Sequence, residues 1–294
     1  MEPYVRQKGD IVMAKVYYCF PGGKHKALTM SYDDGRTEDR RLVSIFNKYG
    51  IKGTFNINSG IFHNTYGEKV QPEEFLKLYE GHEIACHTVT HPTIARCPLE
   101  NVAEEVLEDR KKLEAIMGQP VRGLAYPNGS TSPKIRQMLP MMGIRYARVV
   151  GSTDDFAIPE DFYQWKATCH HNHNLLENGQ RFVELFKKQY LYLMYVWGHS
   201  YEFTDKNNWE VMEEFCKLAG GRDDTWYATN IQIVDYMEVL DRLQFFADSS
   251  KVYNPSAQSA WLSNEKGEII EAKGGCLTVI NLSLIHISEP TRRS

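Results

Sequence analysis

Along most of the chain, short apolar runs alternate with stretches of helical spacing. Residues 14–20 and 27–31 read as strands joined by the Pro21-Gly22-Gly23 turn, and residues 37–49 carry Leu42, Ile45 and Phe46 on one helical face. The next strands are residues 53–57 and 83–86, with a helix between them opened by Pro72, a residue suited to a first turn. A long amphipathic helix follows over 98–117, its apolar positions Val102, Val106, Leu113 and Ile116 spaced by three or four. Further strands are predicted at 123–127, 145–149 and 191–196. Helices are predicted from 132 and over 181–190, 208–219 and 230–245, and a β hairpin over 252–272. Strands alternating with helices imply a parallel sheet. The number of repeats favours closure, giving an α/β protein: a distorted (β/α) barrel of about seven parallel strands with a small C-terminal β hairpin.

The polar residues fall in a pattern of their own. Asp33 with Asp34, Asn56, His87, Pro127 with Asn128, and His199 each follow the carboxyl end of a predicted strand. In a β/α barrel that end is where active sites are assembled. One site distributed over the chain is therefore expected.

Composition adds limits rather than direction. With 294 residues, 42% hydrophobic and 24% charged, the chain can bury one large core, and its formal charge of −4 offers nothing to nucleic acid or to anionic membranes. No apolar run approaches the roughly 18 to 20 residues of a membrane span. The N-terminal residues lack the basic segment and apolar core of a signal peptide, and the six cysteines show no CxxC spacing. A cytoplasmic, reduced protein is expected. Residues 282–294 resemble translated sequencing-adapter read-through and are expected to be a non-native tail. The domain reading is a barrel over 1–250, a β extension over 251–281, and that tail.

The candidate chemistry centres on Ser31-Tyr32-Asp33-Asp34-Gly35. Two adjacent carboxylates at a strand end are costly to desolvate unless paired, hydrogen-bonded or bound to a metal. Some fifty residues on stands His87-Thr88-Val89-Thr90-His91. Histidines four apart lie on one face of a helical turn, so their imidazoles can converge on one ion. With Asp34 they form a His-His-carboxylate set, three protein ligands with room left for water, which is the pattern of a catalytic zinc-type site.

These stretches, in this order, resemble the polysaccharide deacetylases, the NodB-homology group of carbohydrate esterase family 4. The resemblance implies a distorted (β/α) barrel. It implies Asp33 as general base, Asp34, His87 and His91 as ligands of one divalent ion, and His199 of Trp197-Gly198-His199 as general acid. Ala125-Tyr126-Pro127-Asn128-Gly129 is similar to a third motif whose first residue is ordinarily an arginine that orients the base. Alanine here leaves open what holds Asp33, while the Asn128 backbone N–H remains as oxyanion donor. Asp161 and Trp165 match a fourth motif loosely. Zinc is the first choice of ion, with cobalt, nickel and manganese as alternatives.

Together these residues permit amide or ester hydrolysis. A bound divalent ion acidifies water toward a pKa of about 7 and polarises an acetyl carbonyl. Histidine's ordinary pKa near 6.5 suits protonation of a leaving group. Tyr126, Trp165 and Trp197 are candidates to line a sugar or acetyl pocket, with core packing as the rival reading. Cys169-His170-His171-Asn172-His173 could be a second metal site, a polar loop, or a substrate loop offering His170 and His171. The expected activity is metal-dependent removal of N- or O-linked acetyl groups from a saccharide. The rivals are hydrolysis of another C–N bond, such as that of a ureide or cyclic imide, and a non-catalytic carbohydrate-binding barrel.

Overall fold

The computed structural model describes residues 15–61 and 68–280, so the expected tail at 282–294 lies outside the described residues. The described residues divide into two compact units, those within 25–235 and the flanking residues 15–24 with 236–280.

The larger unit is built on β2 (Lys26–Asp33), preceded in the chain by β1 (Val16–Cys19). All eight residues of β2 are buried, as expected of a strand covered on both faces. Even Lys26 fits: its Nζ lies 2.7 Å from Asp224 and donates to the carbonyls of Val183 and Leu185 at 3.1 and 3.2 Å. From β2 the parallel ladder runs through β3 (Gly53–Ile57), β4 (Glu83–Cys86), β5 (Gly123–Ala125) and β6 (Tyr146–Ser152). It also runs the other way, to β9 (Tyr192–His199), which pairs along the whole of β2.

The circle closes through a segment that the sequence pattern did not mark as a strand. Residues 165–170 form β7 (Trp165–Ala167), paired with β6, and β8 (Cys169–His170), paired with β9. Counted as one interrupted strand, they bring the ring to the expected seven. β10 (Thr225–Tyr227) adds a parallel half-strand against the start of β2.

Helices clothe the outside. They are α1 (Asp39–Tyr49), α2 (Phe75–Leu78), α3 (Leu99–Met117), α4 (Pro133–Met138), α5 (Leu175–Glu184), α6 (Tyr201–Asp205) and α7 (Trp209–Ala219), with α8 (Asn230–Asp241) leading out of the unit. α1 buries Leu42, Val43, Ile45 and Phe46 and ends on Gly50, whose φ of 68° suits a residue without Cβ. α5 begins six residues earlier than predicted. Asn178 and Gly179 are poor helix formers, but Gly179 lets the helix pack against Phe215 of α7, where a Cβ would sit 3.0 Å from the ring.

In the smaller unit β1 pairs antiparallel with β13 (Ala260–Asn264), which forms a hairpin with β14 (Ile269–Ala272). A second antiparallel sheet joins β11 (Gln244–Phe245), β12 (Lys251–Tyr253) and β15 (Leu277–Val279). The predicted hairpin is thus part of a larger β module. No helix among the described residues is long and apolar enough to cross a membrane.

Candidate active site at the carboxyl ends of the barrel strands

β2 ends on Asp33, which is buried, and hands the chain to Asp34 in the left-handed region at φ 79°. Aspartate tolerates that conformation better than most residues. Two contacts hold it there: Asp34 N–H donates to the Asn56 carbonyl at 2.9 Å, and Lys69 Nζ donates to the Asp34 carbonyl at 2.6 Å.

His87 follows β4 and is likewise buried. Its Nδ1 lies 2.8 Å from the Ala125 carbonyl, which can only accept. Nδ1 therefore carries the proton, and Nε2 turns a lone pair toward Asp34 Oδ1 and Asp33 Oδ2 at 3.9 and 3.8 Å. Burial lowers the His87 pKa against the pull of both aspartates, which keeps the ring neutral and ligand-competent. The His91 ring stands 4.7 Å from it, centroid to centroid.

The predicted helical turn is absent, however. Residues 87–91 are irregular, with Thr88 at φ 66° and His91 at φ 59°. Two left-handed residues, each costing roughly 1–2 kcal/mol, bring the imidazoles together instead.

Asp34, His87 and His91 each place a ligand-capable atom within 4.8 Å of the others. Atoms about 2.0–2.2 Å from one ion can lie at most about 4.4 Å apart, and the 3.9 Å between His87 Nε2 and Asp34 Oδ1 is inside that limit. The donor set and the His87 tautomer both fit a zinc-type ion.

The arginine missing at Ala125 has a replacement one strand away. Arg148 of β6 is the register partner of Ala125, and its Nη2 donates to Asp33 Oδ2. Asn56 Nδ2 donates to the other carboxylate oxygen at 2.8 Å. Burial alone would raise the Asp33 pKa, but Arg148, His87, His199 and Asn56 bring it down to about 2. The guanidinium also lies 4.4 Å from the centroid of the Trp197 ring.

His199 ends β9 directly opposite Asp33 in register. Its Nε2 is 3.9 Å from Asp33 Oδ2 and its Nδ1 3.4 Å from Glu202 Oε1, in the first turn of α6. Burial opposes protonation of His199, yet Glu202, Asp33 and Asp34 prevail and its pKa is raised. Glu202 also gathers His171 Nε2 at 2.8 Å, His170 Nε2 at 3.3 Å and Asn172 Nδ2 at 2.9 Å. These partners outweigh its burial and hold its carboxyl well below the usual range.

His170, His199 and Glu202 are thus close enough for a second cation. The tautomer argues otherwise. The Asn172 N–H donates to His170 Nδ1, so the proton is on Nε2, where a ligand would need a lone pair. His170 turns that nitrogen toward Glu202 at 3.3 Å.

Asn128 follows β5 in the left-handed region at φ 55°, exposed, with its side chain reaching Thr93 Oγ1 at 3.4 Å. Tyr126 is buried and donates its hydroxyl to the Tyr163 carbonyl at 3.0 Å. Trp165 is buried against Tyr146, Phe162 and Tyr195. Trp197 is buried beside His170. His171 stacks between Tyr32 and Phe203, under a Gly198 where any Cβ would strike its ring. His173 turns to Asp154 at 2.9 Å. Asp161 caps the turn at 162–164, and the carboxylate beside His199 is that of Glu202. Sequence reasoning passed over Arg148 and Glu202. The signal for the first was a lone charge inside an apolar strand.

A family model for polysaccharide deacetylase matches residues 21–147. A chitooligosaccharide deacetylase of Bradyrhizobium sp. (strain ANU 289) is 30% identical over 116 residues, 39% of this chain and 46% of that protein. The match thus spans about half the length of that curated relative. Among solved structures, a Mycobacterium smegmatis protein assigned to the polysaccharide deacetylases superposes with a TM-score of 0.58 at 15% identity, covering 76% of this chain and 94% of that one. The Xyl-CE4 domain of a multidomain xylanase from the hindgut metagenome of Trinervitermes trinervoides gives 0.51 at 13% identity, covering 73% and 92%. These two likenesses establish the barrel fold.

Proposed function

We propose that this chain, whose residues 21–147 match the polysaccharide deacetylase family, removes acetyl groups from a carbohydrate by metal-dependent hydrolysis. The observation that carries the reading is the position of Asp33, whose Oδ2 lies within 4 Å of both His87 and His199 beside the three-residue ligand set. Asp34, His87 and His91 would hold one divalent ion, zinc before cobalt, nickel or manganese. When bound, that ion supplies positive charge that acidifies water and polarises the acetyl carbonyl.

Asp33 is the base that takes a proton from the attacking water. Its pKa near 2 keeps it ionised at working pH, and Arg148 and Asn56 fix its direction. The Asn128 N–H serves the developing oxyanion, a role worth roughly 3–4 kcal/mol for one well-placed donor. His199 donates a proton from Nε2 to the departing amine or alkoxide, with Glu202 behind Nδ1 favouring the charged ring. Acetate and the free amine or hydroxyl leave. The arginine missing at Ala125 kept hydrolysis of another C–N bond open as an alternative, and Arg148 beside Asp33 supports the deacetylase reading.

The Bradyrhizobium relative makes chitooligosaccharides the first substrate to try, followed by acetyl-xylan and peptidoglycan fragments. Zinc-loaded protein should release acetate from at least one of them. Asp33→Asn should bring release to background while zinc binding persists. An Asp33→Asn variant with full activity, or turnover of an imide or ureide with no acetate from any saccharide, would contradict the assignment.

A further inference from the structure

The helix behind the histidine loop carries two carboxylates that the reaction does not use. The inner stripe of α3 runs Val102, Val106, Asp109, Leu113, so a fully buried aspartate stands at an apolar position. Its two oxygens divide their work: Oδ1 accepts from Ser59 N–H at 2.8 Å and Oδ2 from His87 N–H at 2.9 Å. One turn earlier, Glu105 receives the rest of the loop. Its carbonyl accepts from Val89 N–H at 3.3 Å, and its carboxylate accepts from Thr90 N–H at 2.8 Å and Thr90 Oγ1 at 2.5 Å.

The opposite side of the loop is braced from β3. Asn58 Nδ2 donates to the carbonyls of His87 and Thr88 at 2.5 and 3.1 Å, and Gly60 N–H donates to that of Val89 at 3.0 Å. A Cβ at Gly60 would collide with Val89, so glycine permits the close approach. Left-handed backbone at Thr88 and His91 persists only where its surroundings over-determine it. Here the surroundings on one side are α3.

We propose that Asp109 and Glu105 are positioning residues that hold His87 and His91 in the arrangement that grips a divalent ion, so that α3 sets the affinity of the site. This rests on the metal reading of Asp34, His87 and His91. Neither carboxylate is among the proposed ligands; Asp109 acts through the loop backbone, and Glu105 through the backbone and the Thr90 hydroxyl.

The test is zinc affinity, measured by competition with a chromophoric chelator, alongside the melting temperature of the metal-free protein. Glu105→Ala should weaken zinc binding about tenfold, the effect of losing an outer-shell partner, with the metal-free melting temperature unchanged. Glu105→Gln, which keeps an acceptor for Thr90 N–H, should restore affinity to within about twofold. Asp109→Asn should weaken binding further, and Glu104→Ala on the exposed face should leave it untouched. A folded Glu105→Ala protein that binds zinc as tightly as wild type would overturn the proposal while leaving the metal reading intact. Wild-type protein that binds no zinc would overturn both.

Discussion

Arg148 meets the Asp33 carboxylate from the strand beside Ala125, the position at which the resemblance leads one to expect an arginine. Ala125 and Arg148 are partners across a parallel ladder, so a guanidinium moved one strand over still meets the Asp33 carboxylate. That neighbour relation is invisible in sequence, where Asp33 and Arg148 stand 115 residues apart. Asp33, Asp34, His87, His91 and His199 could be picked out because charged and metal-ligating residues at strand ends need a reason. Glu202 could not, since a glutamate in a short polar helix needs none. Replacing Arg148 with Met should leave a buried carboxylate without its strongest partner. The expected cost is about 3 kcal/mol in stability, and with the main cause of its low pKa gone, Asp33 should titrate higher. The acid limb of the kcat/KM profile should move to higher pH, with zinc affinity within about twofold of wild type. An unmoved acid limb would show that Arg148 does not govern the base.

At the scale of elements, periodicity was a good guide wherever tertiary contacts agreed with it. The structure places β3 and β4 at the predicted 53–57 and 83–86, and α3 at 99–117 against a predicted 98–117. It failed where packing overrode local preference: at Asn178-Gly179 inside α5, at β7 and β8, and in the histidine loop with its two left-handed residues. Glu83 illustrates an element junction that patterning cannot see. At the start of β4 its carboxylate accepts from Thr54 of β3 at 2.9 Å, Tyr146 of β6 at 2.8 Å and Ile231 N–H in the first turn of α8 at 2.8 Å. Burial raises its pKa from 4.5 to about 7 despite those donors. Folding therefore favours the protonated form. The stability this group contributes is present below about pH 4.5 and is lost as pH rises toward 7. Glu83→Gln keeps a neutral side chain at every pH, so its stability relative to wild type should rise between pH 5 and pH 8 in urea unfolding. A difference that stays flat across that range would contradict the raised pKa.

For the whole molecule, alternation of strand and helix sufficed to name a parallel barrel and to say which end of it carries the polar residues. Which segment closes the ring could not be read, because the closing strand is split into short pieces that pair with different neighbours. Nor could the extent of the β module, whose strands come from both flanks of residues 25–235. The barrel's service to the proposed chemistry is to make Asp33 and His199 register partners and to set the histidine loop beside them. If that service is the gripping of one ion, the ion must also stabilise the fold. Zinc at a hundred times its Kd should add about 2.7 kcal/mol, which for a unit of this size raises the melting temperature by roughly 5–10 °C.

The most direct measurement is a zinc titration of the metal-free protein read as stoichiometry and Kd. Wild type should bind one ion per chain, Asp34→Ala, His87→Ala and His91→Ala should each lose that binding, and His170→Ala should keep it. Wild-type protein that takes up no zinc, or an Asp34→Ala variant that binds it unchanged, would contradict the assignment of this site.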